Sequence, residues 1–256
     1  MSLLKEKVAL VTGGSRGIGR AIAQDLAAAG ALVAVNYAGN EDAANETVKS
    51  IKDAGGDGFA LQAKIGTADT SEKLIKDLAE ELRSRGLEPR FDILVNNAGI
   101  GLFRNLGETT PEELSNVVDI NLKGTFLVTQ AALELIRDGG RIICISSGQS
   151  VRPQPEVIAY AMTKAAMNAM VRAVAKDLGG RQITVNAVGP GWTDTEANAD
   201  ALADDKLRSE VIANTALGRW GQPEDIAKVV TFIASSQAAW ITGQYIEASG
   251  GFDLSF

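Results

Sequence analysis

Short apolar runs alternate with longer amphipathic segments along most of the chain. The apolar runs, rich in Val, Ile and Leu, predict strands at 7–11, 32–36, 57–63, 91–95, 141–146 and 183–188. Between them, apolar positions recur with helical spacing and predict helices at 21–27, 41–54, 71–85, 111–137 and 157–178. This alternation predicts a parallel, doubly wound sheet with helices on both faces.

One α/β domain spanning residues 1–256 is expected, because the pattern contains no internal repeat, low-complexity run or linker. Residues 193–214 break the alternation and are rich in Ala, Asp and Thr. Their composition predicts a mobile lid beside a site, although an ordinary surface helix fits nearly as well.

Composition and charge exclude several classes of function. A formal net charge of −7 gives no basic footprint for nucleic acid or for an anionic membrane. The chain has no histidine and a single cysteine, Cys144, which excludes a His/Cys metal site, a disulfide within the chain and a Ser-His-Asp hydrolase. Cys144 lies in an apolar run and is expected to be an inert core thiol.

Targeting signals are not expected in this sequence. Residues 1–6 are too few and too charged for a secretory signal. The longest uncharged stretch, 229–246, is interrupted by Ser, Gln, Thr and Gly, which predicts a helix end, a loop and a strand instead of a membrane span. We therefore expect a cytoplasmic protein without a membrane anchor.

The first predicted strand runs directly into a glycine-rich segment at 13–19, and a helix pattern follows. This is the context of a dinucleotide site, because glycines let the backbone approach a pyrophosphate and a helix N-terminus offers free N–H groups. The spacing G-x-x-x-G-x-G differs from the commonest fingerprint, G-x-G-x-x-G. Taken alone, the segment is also compatible with a glycine-rich turn that binds nothing.

Tyr160 and Lys164 lie four residues apart, which places both side chains on one face of a helix. A phenol titrates near pKa ~10, and an ammonium about 4 Å away favours the phenolate by ~4 kcal/mol at an effective dielectric of ~20. We expect Lys164 to lower the pKa of Tyr160 and make it a general acid/base in a chain without histidine. Such pairs also arise by chance on many helix surfaces.

These segments resemble the short-chain dehydrogenase/reductase family, together with residues 96–99, Asn121, Ser147 and residues 190–191. The order and rough spacing match over residues 7–252. The resemblance implies a single-domain Rossmann-type fold with a doubly wound parallel sheet of about seven strands, the last near 244–248. It also implies an NAD(P)-dependent oxidoreductase that interconverts a ketone or aldehyde and an alcohol by hydride transfer.

The resemblance assigns catalytic roles to four residues. Tyr160 would transfer a proton to or from the substrate oxygen, while Lys164 would lower its pKa and hydrogen-bond the nicotinamide ribose. Ser147 would polarise the carbonyl oxygen, and Asn121 would position a water that links Lys164 to solvent. Asn121 lowers helix propensity within a predicted helix, and a kink or a water site would explain this misfit.

The resemblance also implies dinucleotide contacts along the carboxyl edge of the sheet. The expected cofactor-binding residues are Gly13, Ser15, Arg16, Gly17, Ile18, Gly19, Asn36, Tyr37, Ala38, Ile65, Asn97, Ala98, Gly99, Tyr160, Lys164, Pro190, Gly191 and Thr193, with no metal ligand. The second strand ends without a carboxylate before Glu41, and Arg16 could pair with a 2′-phosphate, so NADP(H) is expected in preference to NAD(H). Lys64 stands near the position where relatives commonly carry an adenine-contacting aspartate, which puts that contact in doubt.

The substrate is less defined by the sequence. An apolar ketone or aldehyde is favoured by the residues expected to line the pocket, Leu102, Phe103, Val151, Val157 and Trp192. The overall pattern is similar to 3-oxoacyl-carrier-protein reductases, but an acidic surface would slow encounter with an acidic carrier. Arg137, Arg172 and Arg181 could form a local docking patch, so carrier-bound and free carbonyls both stay open.

Two further expectations concern function class and assembly. A non-catalytic dinucleotide-binding sensor is the alternative to an enzyme, since fold alone does not fix function. The complete set of Asn121, Ser147, Tyr160 and Lys164 favours the enzyme. Relatives pair through two long helices, here 111–137 and 157–178, and through the C-terminal strand, so the resemblance implies a homodimer or homotetramer.

Overall fold

One parallel sheet organises the computed structural model, which describes residues 2–254. Its strand order is β3-β2-β1-β4-β5-β6-β7. The strands are β1 (Val8–Val11), β2 (Leu32–Tyr37), β3 (Asp57–Gln62), β4 (Phe91–Asn96), β5 (Ile136–Ile145), β6 (Thr184–Pro190) and β7 (Tyr245–Ala248). All six predicted strands and the C-terminal strand implied by the resemblance are confirmed.

Helices cover both faces of the sheet, as predicted. They are α1 (Gly17–Ala28), α2 (Glu41–Asp53), α3 (Ala68–Ser84), α4 (Pro111–Val118), α5 (Thr125–Ala132), α6 (Ile158–Leu178), α7 (Ala199–Ala203), α8 (Asp205–Ala213) and α9 (Pro223–Ala234). One core cluster joins α3, α5 and α6 to the sheet through residues such as Leu78, Val128 and Val171. A second cluster, with Ile22 and Val230, joins α1 and α9 to the opposite face.

The prediction of one helix over 111–137 is wrong. The chain forms α4, then a π-helical segment at Asp119–Gly124, then α5, which ends at Ala132. Ile136 already lies in β5, where it pairs with Phe91. Because Ile136 is fully buried in the sheet, its apolar side chain extended the helical pattern in the sequence without belonging to the helix.

Local signals explain where α4 begins. Thr110 Oγ1 accepts a hydrogen bond from the N–H of Glu113 at 3.2 Å, and Glu113 Oε2 accepts one from the N–H of Thr110 at 3.1 Å. Pro111 occupies the first helical position, where its missing N–H costs no hydrogen bond. This capping box confirms the start that the sequence predicts.

The strand order reverses direction between β1 and β4, because β2 and β3 lie on one side of this pair and β5 to β7 on the other. In sheets of this kind ligands bind beyond the carboxyl ends of the strands at the reversal. The segments that follow β1, β4, β5 and β6 therefore meet at one edge.

Residues 193–214 contain α7, α8 and a short 3-10 turn at Glu196–Asn198. Their far end is held by the C-terminal segment, since Ala216 N donates to Gly251 O at 3.1 Å and Leu217 N to Gly250 O at 3.0 Å. Among the described residues, none of the helices is long and apolar enough to cross a membrane.

Candidate active site

The glycine-rich loop joins β1 to α1 at the carboxyl edge of the sheet. Gly13 and Gly17 have φ values of +62° and +52°, in the left-handed region that favours glycine. A Cβ on Gly19 would overlap the carbonyl oxygen of Gly13, so this close packing requires glycine. Within residues 2–254, Arg16 makes no side-chain cap on α1 and the first turn carries no acidic residue. The helix N-terminus therefore offers N–H groups and a positive dipole end that fit a pyrophosphate.

Thr12 connects this loop to the end of β4 through hydrogen bonds. It was not among the predicted site residues. Its Oγ1 accepts hydrogen bonds from the N–H groups of Asn97 at 2.9 Å and Ala98 at 3.0 Å. Asn97 Nδ2 donates to the carbonyl oxygens of Thr12 and Gly13, both at 2.9 Å. A hydroxyl residue directly before the glycine run is the sequence signal that could have identified this role.

Asn36 supports the loop from the end of β2. Its Oδ1 accepts from Gly13 N at 3.2 Å, while its Nδ2 donates to the carbonyl oxygens of Leu61 at 3.2 Å and Ala63 at 3.0 Å. The residue is buried, so its side chain braces the protein and is not free to hold a ligand. The cofactor contact predicted for Asn36 stays a prediction. Arg16 is exposed beside the loop.

The remaining predicted cofactor residues lie around the same edge. A Cβ on Gly17 would be 3.5 Å from Thr195 Cγ2, which places the start of the 193–214 segment beside the glycine loop. Pro190 ends β6, and the buried Thr193 donates to Gly191 O at 3.0 Å. Ile65 and Tyr37 are buried, whereas Ala38 and Lys64 are exposed.

Tyr160 and Ser147 come together from two elements. Ser147 follows β5, Tyr160 lies in the first turn of α6, and the two side chains lie close enough for Ser147 to influence the pKa of the phenol. Burial raises the pKa of Tyr160 above its ordinary value, and the neighbouring Ser147 hydroxyl opposes that rise. Tyr160 is therefore a protonated phenol near neutral pH, suited to donate a proton.

Lys164 is buried one helical turn beyond Tyr160. Its Nζ donates to the carbonyl oxygen of Ile145 at 2.7 Å and lies 5.6 Å from the centroid of the Tyr160 ring. Burial lowers the pKa of Lys164 to about 8. A Cβ on Gly99 would lie 3.6 Å from this Nζ, so the backbone after β4 passes close to the ammonium group.

The expectation that Lys164 lowers the pKa of Tyr160 is not met. Burial is the largest influence and acts in the opposite direction, and Ser147 is the neighbour that lowers this pKa. The ammonium lies over the ring face and bonds to a main-chain carbonyl, instead of approaching the phenol oxygen directly. The helical spacing correctly predicted that Tyr160 and Lys164 share one face of the helix, but it did not predict the direction of the Lys164 side chain.

Asn121 lies in the π-helical segment and is fully buried. Its Oδ1 accepts from Ile100 N at 2.8 Å, while its Nδ2 donates to Ile100 O at 2.9 Å and to Thr163 Oγ1 at 3.3 Å. Thr163 in turn donates to the carbonyl oxygen of Tyr160 at 2.7 Å. Asn121 thus connects the loop after β4 to the helix of Tyr160 and Lys164, and the local misfit in the sequence corresponds to the π-helical segment.

Two buried residues lie at the end of β5, next to the predicted catalytic serine. Cys144 is fully buried, and burial raises its pKa to about 11, which fits an inert thiol. Ser146, directly before Ser147, is buried and donates to Asn168 Oδ1 at 2.8 Å.

The side chains predicted to line the substrate pocket differ in exposure. Phe103 and Val151 are about half exposed, whereas Val157 is buried. Trp192 packs against Trp220, with ring centroids 5.3 Å apart and planes inclined by 57°. The indole of Trp220 is itself buried, so this pair forms a rigid aromatic wall next to Thr193.

Burial of Lys164 predicts a measurable dependence of stability on pH. Its folded pKa, about 8, lies below the value of ~10.4 expected in the unfolded chain. The unfolded state therefore binds more protons between these values, so the cost of burying this lysine is complete below pH 8 and disappears as pH rises toward ~10.4.

We expect Lys164→Met to raise Tm at pH 7, by roughly 2–4 °C for each kcal/mol relieved, and this gain to shrink as pH rises through ~8 to ~10. Calorimetric scans across this range measure the difference. Lys176→Met is the matched control, because Lys176 is exposed on the same helix. A Tm difference that stays constant with pH would contradict the burial argument.

The amino-acid sequence is similar to those of several known proteins. A family model described as enoyl-(acyl carrier protein) reductase matches residues 13–253. Versicolorin reductase 1 of Aspergillus parasiticus is 40% identical over 259 residues, covering 97% of each chain. The 3-oxoacyl-acyl-carrier-protein reductase FabG of Staphylococcus aureus is 42% identical over 247 residues, covering 96% of this chain and 97% of the relative.

Solved structures agree with this likeness over the full fold. The angucycline C-6 ketoreductase LanV with bound NADP superposes with a TM-score of 0.94 at 42% identity, covering 99% of this chain and 98% of that chain. A second structure of LanV, described as the landomycin C-6 ketoreductase, contains NADP and rabelomycin and gives a TM-score of 0.91. The fold is therefore shared with proteins described as ketoreductases.

Proposed function

Because the chain belongs to the short-chain dehydrogenase/reductase family, we propose that it is an NADPH-dependent reductase of apolar ketones with Tyr160 as its general acid. The observation that carries this proposal is the buried ammonium of Lys164, which lies 5.6 Å from the centroid of the Tyr160 ring and donates to the carbonyl oxygen of Ile145 at the end of β5. A family oxidoreductase needs these groups at the carboxyl edge of the sheet, next to the glycine loop.

The proposed chemistry assigns a separate task to each side chain. The nicotinamide, when bound, supplies the hydride. Tyr160 donates its phenolic proton to the carbonyl oxygen as negative charge develops there, and burial keeps this phenol protonated near neutral pH. Ser147 donates a neutral hydrogen bond to the same oxygen. Lys164 would hydrogen-bond the nicotinamide ribose, and Asn121 holds the loop that borders the ammonium.

A preference for NADPH is supported by charge at the end of β2. Asn36 occupies the end of this strand with its polar atoms used internally, and no carboxylate follows before Glu41. Arg16 is exposed at the start of α1, where it can reach a 2′-phosphate. The NADP in the LanV structures is consistent with this assignment.

Removing the Arg16 guanidinium should weaken NADPH binding selectively. We expect Arg16→Ala to raise the KM for NADPH by roughly ten- to a hundredfold, since a hydrogen bond to a charged group contributes ~1.5–3 kcal/mol. The KM for NADH should change little. Steady-state kinetics with both cofactors measure this, with the exposed Arg83→Ala as control. An equal rise in the KM for NADH would mean that Arg16 does not contact the 2′-phosphate.

The arginines expected to form a docking patch for a carrier are largely paired with carboxylates, which favours a free ketone over a carrier-bound substrate. Arg137 is paired with Glu88 at 2.8 Å and Asp92 at 3.3 Å. Arg181 is paired with Asp138 at 2.7 Å and also donates to main-chain carbonyls. These pairs offset the charge of two of the three arginines in the predicted patch, whereas Arg172 is exposed. The ketoreductase relatives, one with rabelomycin bound, agree with a free aromatic ketone.

The proposal is tested by NADPH oxidation with a panel of tetralone, an aliphatic ketone and a 3-oxoacyl thioester. We expect turnover, fastest with the aromatic ketone. Turnover restricted to the thioester would indicate the carrier-linked reaction instead. Tight NADPH binding with no turnover across the panel would contradict the reductase assignment.

Two accompanying proposals concern the lid and assembly. We propose that residues 193–214 cover the substrate, which the exposure of α7 and α8 beside Thr193 supports. Homo-oligomerisation is supported by exposed apolar side chains on the candidate pairing elements, Phe126 on α5 and Met162 on α6. A monomer mass by light scattering at micromolar concentration would overturn the second proposal.

A further inference from the structure

The edge strand β7 carries a tyrosine that touches the catalytic serine. Tyr245 lies opposite Ala187 of β6 and packs on the face of the sheet that α6 covers. Its Oη donates to the carbonyl oxygen of Ser147 at 3.2 Å. Tyr245 belongs to neither the predicted catalytic set nor the predicted cofactor contacts.

A glycine makes the space for this phenol. Gly189 lies next to Tyr245 on β6, and a Cβ built on it would overlap the Oη, Cζ and Cε2 atoms of the tyrosine. The phenol of Tyr245 therefore packs directly on the main chain of β6. Because Gly189 has no side chain, the Tyr245 hydroxyl can lie beside Ser147.

A second hydroxyl converges on the same carbonyl. Ser150 Oγ donates to Ser147 O at 2.6 Å, and Ser150 is itself held by Asn168 Nδ2 at 2.8 Å. Asn168 lies on α6, one turn beyond Lys164. The main chain of Ser147 is thus fixed by β7 through Tyr245 and by α6 through Ser150.

The side chain of Ser147 depends on this main-chain placement. Its Oγ accepts from Gln149 N at 3.1 Å, and this side chain lies close enough to Tyr160 to lower the pKa of the phenol. A shift of the Ser147 backbone would move the serine hydroxyl relative to Tyr160, and small displacements of reacting groups are costly in catalysis.

Tyr245 is a permanent donor in this arrangement. Burial raises its pKa above the ordinary value, and the Glu247 carboxylate raises it further. Arg152, which pairs with Glu247, opposes this effect, as does Ser150. The phenol therefore stays protonated over the pH range of an enzyme assay and cannot compete with Tyr160 as a base.

We propose that Tyr245 is a positioning residue whose hydroxyl, seated over Gly189, holds the main chain of Ser147 so that the serine hydroxyl meets Tyr160. The inference rests on the proposed reductase function. Tyr245→Phe isolates it, because the ring and its packing remain while the donor is lost.

A spectroscopic test reads the effect on Tyr160 without any substrate. The chain contains three tyrosines, so ring-labelled tyrosine gives a simple carbon-13 NMR spectrum of the full-length protein. We expect the Cζ resonance of Tyr160 to move in the same direction in Tyr245→Phe as in Ser147→Ala. The double variant should show little further movement, since both changes alter the placement of the same Ser147 side chain beside Tyr160.

Kinetics with tetralone and NADPH provide the second readout. We expect Tyr245→Phe to lower kcat by roughly ten- to a hundredfold with little change in KM for NADPH and in Tm. In the Ser147→Ala background, Tyr245→Phe should lower kcat little further. Gly189→Ala should reproduce the loss, because its Cβ displaces the phenol.

Thr231→Val is the matched control, because it removes a buried hydroxyl that has no hydrogen-bond partner within residues 2–254. It should leave both readouts unchanged. An unchanged Tyr160 resonance together with wild-type kcat in Tyr245→Phe would overturn the inference while leaving the reductase assignment intact. A shifted resonance in a protein that reduces no ketone would support the positioning role and contradict the proposed function.

Discussion

Tyr160→Phe is expected to lower kcat for ketone reduction by about 10²–10⁴-fold, the range contributed by a positioned general acid. The ring stays in place, so its packing in the first turn of α6 is kept. The proton donor is lost, and water cannot easily replace it in a site where burial dominates the phenol's pKa. Steady-state NADPH oxidation measures the loss.

The control for this prediction separates chemistry from binding. Fluorescence titration should give a Kd for NADPH within about twofold of wild type, because the phenol acts on the substrate oxygen. Ser147→Ala should lower kcat by about 10²–10³-fold, as loss of an oxyanion donor does. Wild-type kcat in Tyr160→Phe would remove the proposed acid from the mechanism.

Gly19→Ala is expected to weaken NADPH binding on the order of a hundredfold or more, because its Cβ would overlap Gly13 O and crowd Asn97 Nδ2. The Asn97 amide holds the loop by hydrogen bonds to Thr12 and Gly13. A methyl group at position 19 must therefore displace the loop that faces the pyrophosphate. Fluorescence titration with NADPH measures the change.

Gly179→Ala is the matched control for that substitution. Gly179 follows α6 with a φ of −57°, and a Cβ there would meet no atom within 4 Å among the described residues. It should leave the Kd for NADPH unchanged. A Gly19→Ala protein that binds NADPH as tightly as wild type would show that the loop tolerates movement, and would contradict the role given to its close packing.

Strands and the glycine loop were predictable because their signals are local. A buried parallel strand is a run of apolar residues, and the turn after β1 needs glycine at Gly13 and Gly17 for conformational reasons. The resemblance then identified the set of Ser147, Tyr160 and Lys164, which the structure brings to one edge of the sheet.

Features that depend on tertiary contacts were not predictable. The residues of the π-helical segment around Asn121 fit a helical pattern, and only the bonds to Ile100 and Thr163 explain why the chain departs from it. The pKa of Tyr160 depends on burial, which a helical spacing does not report. Tyr245 reaches Ser147 from a strand 98 residues away, so no sequence motif contains both.

The most direct test of the central claim is the transfer of deuterium from NADPH deuterated at the nicotinamide C4 position to tetralone, followed by mass spectrometry of the alcohol. Wild-type protein should give a product heavier by one deuterium, and Tyr160→Phe should give almost none in the same time. Wild-type protein that binds the cofactor but transfers no deuterium, or a Tyr160→Phe variant that transfers it equally fast, would contradict the account.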